Sequence, residues 1–454
     1  MEASNVFVRW RPVPPTQPNT PEINKVHSEL QNSRVSISIS LPSPGDSSWK
    51  SGHVFNQVFE PTDGNRAVFD AVVAPILPKV LNGDSCSFFA YGHSGSGKSH
   101  TILGYDFEDP DNFGLCLAAA RYLCEELKGF NTGIVREGHS HSSMSELGIG
   151  LRMYELRGNA AFDLLNNHCK CNIRQGYDGQ THIRGETEVL DGGRVRVRPI
   201  VTKACWSFED FRQELLRGLQ LRASGVSTVH EESSRTHAVL ELEIVNRALL
   251  DAREAVVERQ SELVPVAKRA TDVYIEEQMK GLVRTGDGKF VPNPEYQIDH
   301  RRIDEAEEKK AEFEKYVSDA EEHVHCVFRS SGQTCLGGKL VFVDLAGAEY
   351  YHGSSLSTHG SRSLPSPQEQ KEGRQINTDL LALKEVIRAR ASKQSRIPYR
   401  SSPLTMVLRG HFEATGSRDS YSAVILTASP AADQYAATAN TLKYGNLVGT
   451  SKNR

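Results

Sequence analysis

Residues 91–101 read YGHSGSGKSHT. The spacing Gly92-x4-Gly97-Lys98-Ser99 is that of a loop that cradles phosphates. Glycines are required there because a side chain would hold the anion away from the backbone N–H groups that bind it. Lys98 supplies a cation for the β- and γ-phosphates, and the Ser99 hydroxyl supplies a ligand for Mg2+. His93, Ser94, Gly95 and Ser96 fill the loop, and His100 opens the helix expected after it. Two later stretches carry complementary chemistry. HEESSRTH (230–237) places Ser233, Ser234 and Arg235 just before an apolar run. LVFVDLAGAE (340–349) ends an apolar run in Asp344, followed by Gly347 and Glu349. An aspartate at a strand end beside a phosphate loop orients Mg2+ through its water shell, and a nearby glycine N–H can report the terminal phosphate. Alone, each stretch also reads as an ordinary loop or turn.

Such residues must be held at one end of a sheet. Apolar runs of strand length recur at 6–8, 88–91, 150–156, 239–245 and 340–343. Helical patterns separate several of them, at 66–81, 208–222 and 376–388. Strands alternating with helices predict an α/β fold with a central mixed, mostly parallel sheet and helices on both faces. Residues 249–336 break this rhythm. They are charged, contain VPNP, and end in RRIDEAEEKKAEFEKYVSDAEEHV. There Ile303, Ala306, Phe313, Val317, Ala320 and Val324 fall on one heptad seam, which Lys310 interrupts. The seam is short for a coiled coil and predicts a helical surface excursion rather than a dimerisation zipper.

Composition excludes several classes. Basic and acidic residues number 53 and 57, so no global polybasic field points to nucleic acid or a membrane surface. No apolar run approaches the roughly 18 residues of a membrane span. The eight cysteines are scattered, as expected of a reducing cytosol rather than a disulfide scaffold. HCKC (168–171) and HVHC (323–326) lack the paired spacing of a zinc site, and HSHSS (139–143) reads as a solvated loop.

In this order the motifs resemble the kinesin motor domain. The family pattern RxRP, GQTGxGKT, NxxSSRSH, DLAGSE, INxSLxxLxxVI, VPYRxSKLT and SPxxxxxxxTxxTLxYA appears as RWRP (9–12), GHSGSGKS (92–99), HEESSRTH (230–237), DLAGAE (344–349), INTDLLALKEVI (376–387), IPYRSSPLT (397–405) and SPAADQYAATANTLKYG (429–445). YELRGNAAFDLL (154–165) is similar to the family's YxEIYNExxxDLL. The resemblance implies a P-loop NTPase that uses ATP/ADP and Mg2+, binds microtubules and works in the cytoplasm on the cytoskeleton. It implies that Arg9, Arg11 and Pro12 flank the adenine with His100, that Gly92 to Ser99 hold the phosphates, and that Ser233 and Ser234 sit by Mg2+ and the γ-phosphate. Mg2+ would be held by Ser99, Ser234 and, through water, Asp344. Gly347 would sense the γ-phosphate. Arg235 would pair with Glu349 to close the switches, moving a relay helix at 376–388.

Residues 1–445 are then expected to form one motor domain including the 249–336 insertion, and 446–454 to begin a neck linker. The motor would lie at the N-terminus of its parent, with stalk and cargo partners outside this chain. The expected activity is an ATP-hydrolysing motor that moves along microtubules. The alternative is a kinesin-like nucleotide-binding adaptor with weak or no stimulated turnover. Departures from the family concentrate on the track side: Pro403 and Met406 stand for basic residues, as does Thr378, and Lys384 replaces a glycine. His230 replaces the switch asparagine. Arg388, Arg390, Lys393, Arg396, Arg400 and Arg409 are candidates to compensate. LDGGRVRVRPIVTK (190–203) predicts a β-ribbon with Arg194, Arg196 and Arg198 on one face, available to an acidic track.

Overall fold

SCSFFAY is apolar without alternation, as expected of a strand covered on both faces, and Cys86, Phe88, Phe89 and Ala90 are fully buried. A computed structural model describes residues 5–13, 21–29, 34–42, 48–136, 144–176, 180–224, 235–284, 286, 288–348, 367–413 and 420–450. The chain starts with β1 (Asn5–Trp10), β2 (Asn24–Glu29), β3 (Val35–Ser40), β4 (Ser48–Lys50) and β5 (Gln57–Phe59). Helices α1 (Asn65–Val72) and α2 (Leu77–Leu81) lead to β6 (Ser85–Tyr91), α3 (Lys98–Ile102) and α4 (Leu115–Arg136). Then come β7 (Leu147–Arg157), β8 (Ala160–Asp163), β9 (Cys169–Gln175), β10 (Thr181–Val189), β11 (Val195–Pro199) and β12 (Lys203–Cys205). After α5 (Phe208–Ser224) and β13 (His237–Asn246) the chain leaves the sheet as α6 (Arg247–Lys280), β14 (Leu282–Arg284), β15 (Phe290–Pro292) and α7 (His300–Ser330). It returns as β16 (Lys339–Asp344), α8 (Pro367–Ala391), α9 (Pro403–Phe412), β17 (Ser420–Ala428) and α10 (Tyr435–Gly449).

The central sheet is mixed, in the order β11-β10-β9-β8-β7-β13-β16-β6-β17-β1-β5, with β12 beside β7. Its central block β16-β6-β17-β1-β5 is parallel, and from β13 outward the pairs are antiparallel. One core packs α1, α2, α4 and α5 on one face. The second packs α8, α9 and α10 on the other. The helix expected over 66–81 is two pieces: Pro75 and Pro78 cannot donate to the ladder, and α1 stops at Val72. The last helix extends to Gly449, beyond the position at which a linker was expected to begin.

The 249–336 segment is a pair of long packed helices, α6 and α7, joined through the β14–β15 hairpin. The first, α6, hides from a periodicity reading because Pro265 lies inside it and its buried face, which holds Leu249, Ala252, Ala270 and Val273, also takes in Ser261 and Glu277. Its start is capped by Asn246, whose side chain accepts from Leu249 N at 2.8 Å. The seam on α7 is the covered face, with Val317 and Val327 buried, and α6 of the same chain covers it. At the far end Glu277 accepts from Tyr296 Oη, from Lys280 Nζ at 3.0 Å and from Arg302 Nη1 at 2.5 Å. These donors push its carboxyl down to about 2.

The arginine ribbon forms as expected, β10 pairing with β11 across a turn in which Gly192 and Gly193 take positive φ. Its arginines are not an open face. Arg194 meets Glu258 at 3.0 Å, Arg196 meets Glu258 and Glu188, and Arg198 meets Glu188 at 2.7 Å and Glu254 at 3.3 Å. Glu254 and Glu258 belong to α6, so the insertion covers the basic surface that sequence left available.

Candidate nucleotide site

β6 ends at Tyr91, and the loop 92–97 turns the chain into α3. Gly95 and Gly97 take φ of +74° and +104°, a region that side chains resist. A Cβ on Gly92 would lie 2.4 Å from Thr427 O on β17, so the loop sits directly on the neighbouring strand. Ser96 helps fix it there, its hydroxyl 2.6 Å from that of Thr427. Lys98 is buried and donates to the carbonyls of His93 at 2.8 Å and Gly92 at 3.1 Å, which holds its ammonium under the loop.

Parallel pairing of β16 with β6 sets Asp344 opposite Ala90 and brings it to the same end. Asp344 Oδ2 accepts from Ser99 Oγ at 2.7 Å and from Arg222 Nη1 at 3.0 Å. Its Oδ1 is buried and has no hydrogen-bond partner among the described residues. A buried carboxylate oxygen with spare capacity beside a serine hydroxyl fits the hydration shell of a divalent cation. Lys98, Ser99 and Asp344 are therefore a donor set suited to a Mg2+-bound phosphate chain. The chain after β16 is tied to the loop, Ala348 N donating to Gly92 O at 3.1 Å. A Cβ on Gly347 would approach Ser94 N to 2.8 Å, so only glycine fits this contact without movement.

A cleft of about 430 Å³ lies above these groups, walled by Arg11, Pro12, Ser94, His100 and Tyr105. Arg11 Nη1 donates to Gly95 O at 2.7 Å. The rings of His100 and Tyr105 are 5.5 Å apart, and with Pro12 they offer flat faces of the kind a base packs against. Arg9 stands behind the cleft. Its guanidinium bonds Asn65 Oδ1 at 2.5 Å and Thr101 Oγ1 at 2.8 Å, and burial lowers its pKa to about 10. His93 also turns inward, Nδ1 lying 2.8 Å from Ser94 O. Burial, with the Lys98 and Arg11 charges, brings its pKa down to about 4, so the ring is neutral at physiological pH.

Ser233, Ser234, Glu349 and His230 lie outside the described residues. Arg235 is 3.8 Å from Glu372 on α8, which also accepts from Arg157 at 3.1 Å. Four residues of this neighbourhood went unnoticed in sequence: Arg222, Glu155, Tyr105 and Glu372. Arg222 is a cation in the last turn of α5, and Glu155 a charge inside an apolar strand, which is the signal each offered. Glu155 accepts from Thr236 Oγ1 at 3.0 Å and lies 3.8 Å from Arg222 Nε.

The family model of the kinesin motor domain matches residues 9–267 and 306–450. This chain belongs to the kinesin motor domain family. It is 25% identical over 406 residues to kinesin-like protein KIN-5B of Arabidopsis thaliana, covering 88% of this chain and 29% of that protein. It is 26% identical over 404 residues to kinesin-like protein KIF25 of Macaca fascicularis, covering 86% of this chain and 56% of that protein. The chain thus spans only part of these relatives. The motor domain structure of a Kar3-like kinesin from Ashbya gossypii superposes with a TM-score of 0.55 at 19% identity, covering 98% of this chain and 99% of that one. Kinesin motor domains are ATPases that bind nucleotide and microtubules, and this chain has their fold. The unmatched stretch 268–305 is the outer part of the helical pair.

The departures from the kinesin pattern have local reasons in part. Pro403 is the first residue of α9, capped by Ser402 in a reciprocal bond with Thr405, so a lysine has given way to a helix-starting proline. Thr378 donates to Arg374 O at 2.9 Å within α8. Of the candidate compensating cations, Arg390 points inward, bonding Ser420 and Ser422 and lying over Phe412. Arg388 and Arg409 pair with Glu385 and Glu413. Lys393, Arg396 and Arg400 are exposed. No helix among the described residues is long and apolar enough to cross a membrane.

Proposed function

We propose that this chain hydrolyses Mg2+-ATP in the cleft over Lys98 and Asp344 and couples turnover to movement along microtubules, as part of a longer cytoskeletal protein in the cytoplasm. The observation that carries the reading is the Lys98, Ser99 and Asp344 constellation at the parallel strand ends, in a chain of the kinesin family. Bound Mg2+ would neutralise charge on the transferring phosphate. Ser99 would ligate it, and Asp344 would hold its water while Arg222 fixes the carboxylate. Lys98 would contact the β- and γ-phosphates. Ser233 and Ser234 are proposed beside Mg2+ and the γ-phosphate, Gly347 as the sensor of that phosphate, and Arg235 with Glu349 as the pair that closes over it. Arg11, Pro12 and His100 would hold the base. Arg9 supports them from behind.

Steady-state ATP turnover at low ionic strength, with and without taxol-stabilised microtubules, tests the reading. Turnover should rise with microtubules, and Lys98→Ala should remove both rates by at least about 100-fold. Basal turnover that microtubules leave unchanged would overturn the motor assignment and keep only the nucleotide site.

A further inference from the structure

A second cavity, of about 700 Å³, lies between the start of β13 and α8. His237 and Asp379 face each other across it, both nearly inaccessible to solvent. His237 Nδ1 accepts from Ala346 N at 3.0 Å, which puts the ring proton on Nε2. That Nε2 is buried without a hydrogen-bond partner and lies 3.9 Å from Asp379 Oδ2. The carboxylate's other oxygen accepts from Gln375 Nε2 at 3.1 Å. Ala346 is the residue before Gly347, whose backbone packs on the phosphate loop. In the kinesin pattern INxSL, position 379 is a serine; here it is an aspartate.

We propose that Asp379 is a positioning residue of the turnover cycle: through His237 it sets the Ala346–Gly347 backbone at the phosphate cleft and ties that backbone to α8. The inference rests on the ATPase reading above. At 3.9 Å the pair is about 1 Å short of a hydrogen bond. A small approach of α8 closes it, with Nε2–H donating to the carboxylate while Nδ1 keeps hold of Ala346 N. The closed bond draws its strength from the carboxylate charge, since charge-assisted bonds are roughly twice as strong as neutral ones. A serine cannot supply that charge.

The other charged or titratable groups around the cavity are Arg157 on β7, Arg235 before β13, and Lys371 and Glu372 on α8. Burial raises the Asp379 carboxyl to about 6, against the bond from Gln375, while burial and the Lys98 and Arg222 charges bring His237 down to about 3. At neutral pH the link is therefore carboxylate to neutral imidazole, and it weakens as pH falls through about 6.

The test is basal ATP turnover of the whole chain from about pH 5.5 to about pH 8, for the unmodified protein, Asp379→Asn and Asp379→Ser. The serine variant places the family's residue and guards against a folding artefact, and binding of a fluorescent ADP analogue checks that each variant keeps its cleft. The unmodified kcat should fall about three- to tenfold through a midpoint near pH 6. Both variants should lack that step and show a plateau about threefold lower, with the KM for ATP within about twofold. Variant profiles that superimpose on the unmodified one in kcat and midpoint would overturn the role of Asp379. No turnover in the unmodified chain at any pH would overturn the ATPase reading itself.

Discussion

The two ends of the central strands treat charge in opposite ways. At the end where β6 and β16 finish, Asp344 keeps one oxygen without a partner among the described residues, and Lys98 rests on backbone carbonyls. At the other end, where β13 runs into α6, charges close on one another. Glu243 accepts from Arg253 through both oxygens, at 2.8 and 2.9 Å, and lies 3.6 Å from Lys339. Glu254 and Glu258 take the ribbon arginines. Lysines, arginines and carboxylates supply both regions. A site is recognised by charges whose capacity is unspent, and a scaffold by charges that are fully engaged.

That contrast is broken most sharply from the cleft side. Asp344→Asn keeps the volume and removes the charge that Ser99 and Arg222 address. ATP turnover should drop by about 100-fold or more, with a denaturation midpoint close to that of the unmodified chain. A large loss of stability with turnover retained would make Asp344 scaffold and erase the distinction.

The opposite pattern is expected at the root of the helical arm. Glu243 is buried, and Glu243→Ala strands the Arg253 charge against the sheet, a change that costs about 3–5 kcal/mol. Urea denaturation should show this loss, while kcat for the folded fraction stays within about twofold. Burial raises the Glu243 carboxyl, but Lys339, Arg253 and Arg152 outweigh it and hold it well below the usual range. A depressed folded pKa contributes stability that is complete above the unfolded value of about 4.3 and is lost as pH falls through the folded one. The unmodified chain should therefore lose more stability than Glu243→Gln on acidification below about pH 5. Parallel pH curves would remove Glu243 from the account.

The same contrast explains what sequence could show. The phosphate loop was legible because its chemistry is local: Gly92, Gly97, Lys98 and Ser99 act through spacing along the chain. The strands β6 and β16 were legible because nearly unbroken apolar runs leave little choice, and β13 because its apolar residues from Val239 to Val245 are broken only by Glu241 and Glu243. Arg222 was not, because its partner Asp344 is distant in sequence and only the tertiary fold brings α5 to the end of β16. Nor was α6, since its stripe of Leu249, Ala252, Ala270 and Val273 is interrupted by Ser261 and crosses Pro265, and it gains its cover from α7 and the ribbon. The ribbon's arginines were placed correctly on one face, yet their availability depended on Glu254 and Glu258, which no local pattern connects to them. His237 looks unremarkable in sequence and Asp379 shows only as an aspartate where the kinesin pattern has a serine; their meaning lies in the gap between them.

The smallest effect tests whether the covered ribbon still belongs to the track surface. In Glu254→Gln with Glu258→Gln, Arg194 loses its acidic partner on α6, and Arg196 and Arg198 are left with Glu188. Because Glu188 remains, the freed charge is partial, and each exposed pair contributes at most about 1 kcal/mol. Microtubules present an acidic surface, so affinity measured by co-sedimentation at low salt should rise by about two- to tenfold. The gain should fade as the Debye length shortens toward about 8 Å at physiological ionic strength. Basal turnover should stay within about twofold, since the arm root and the cleft are at opposite ends of the strands. An affinity that does not change at any salt concentration would mean that the ribbon faces away from the track, leaving Lys393, Arg396 and Arg400 to carry the electrostatic contact.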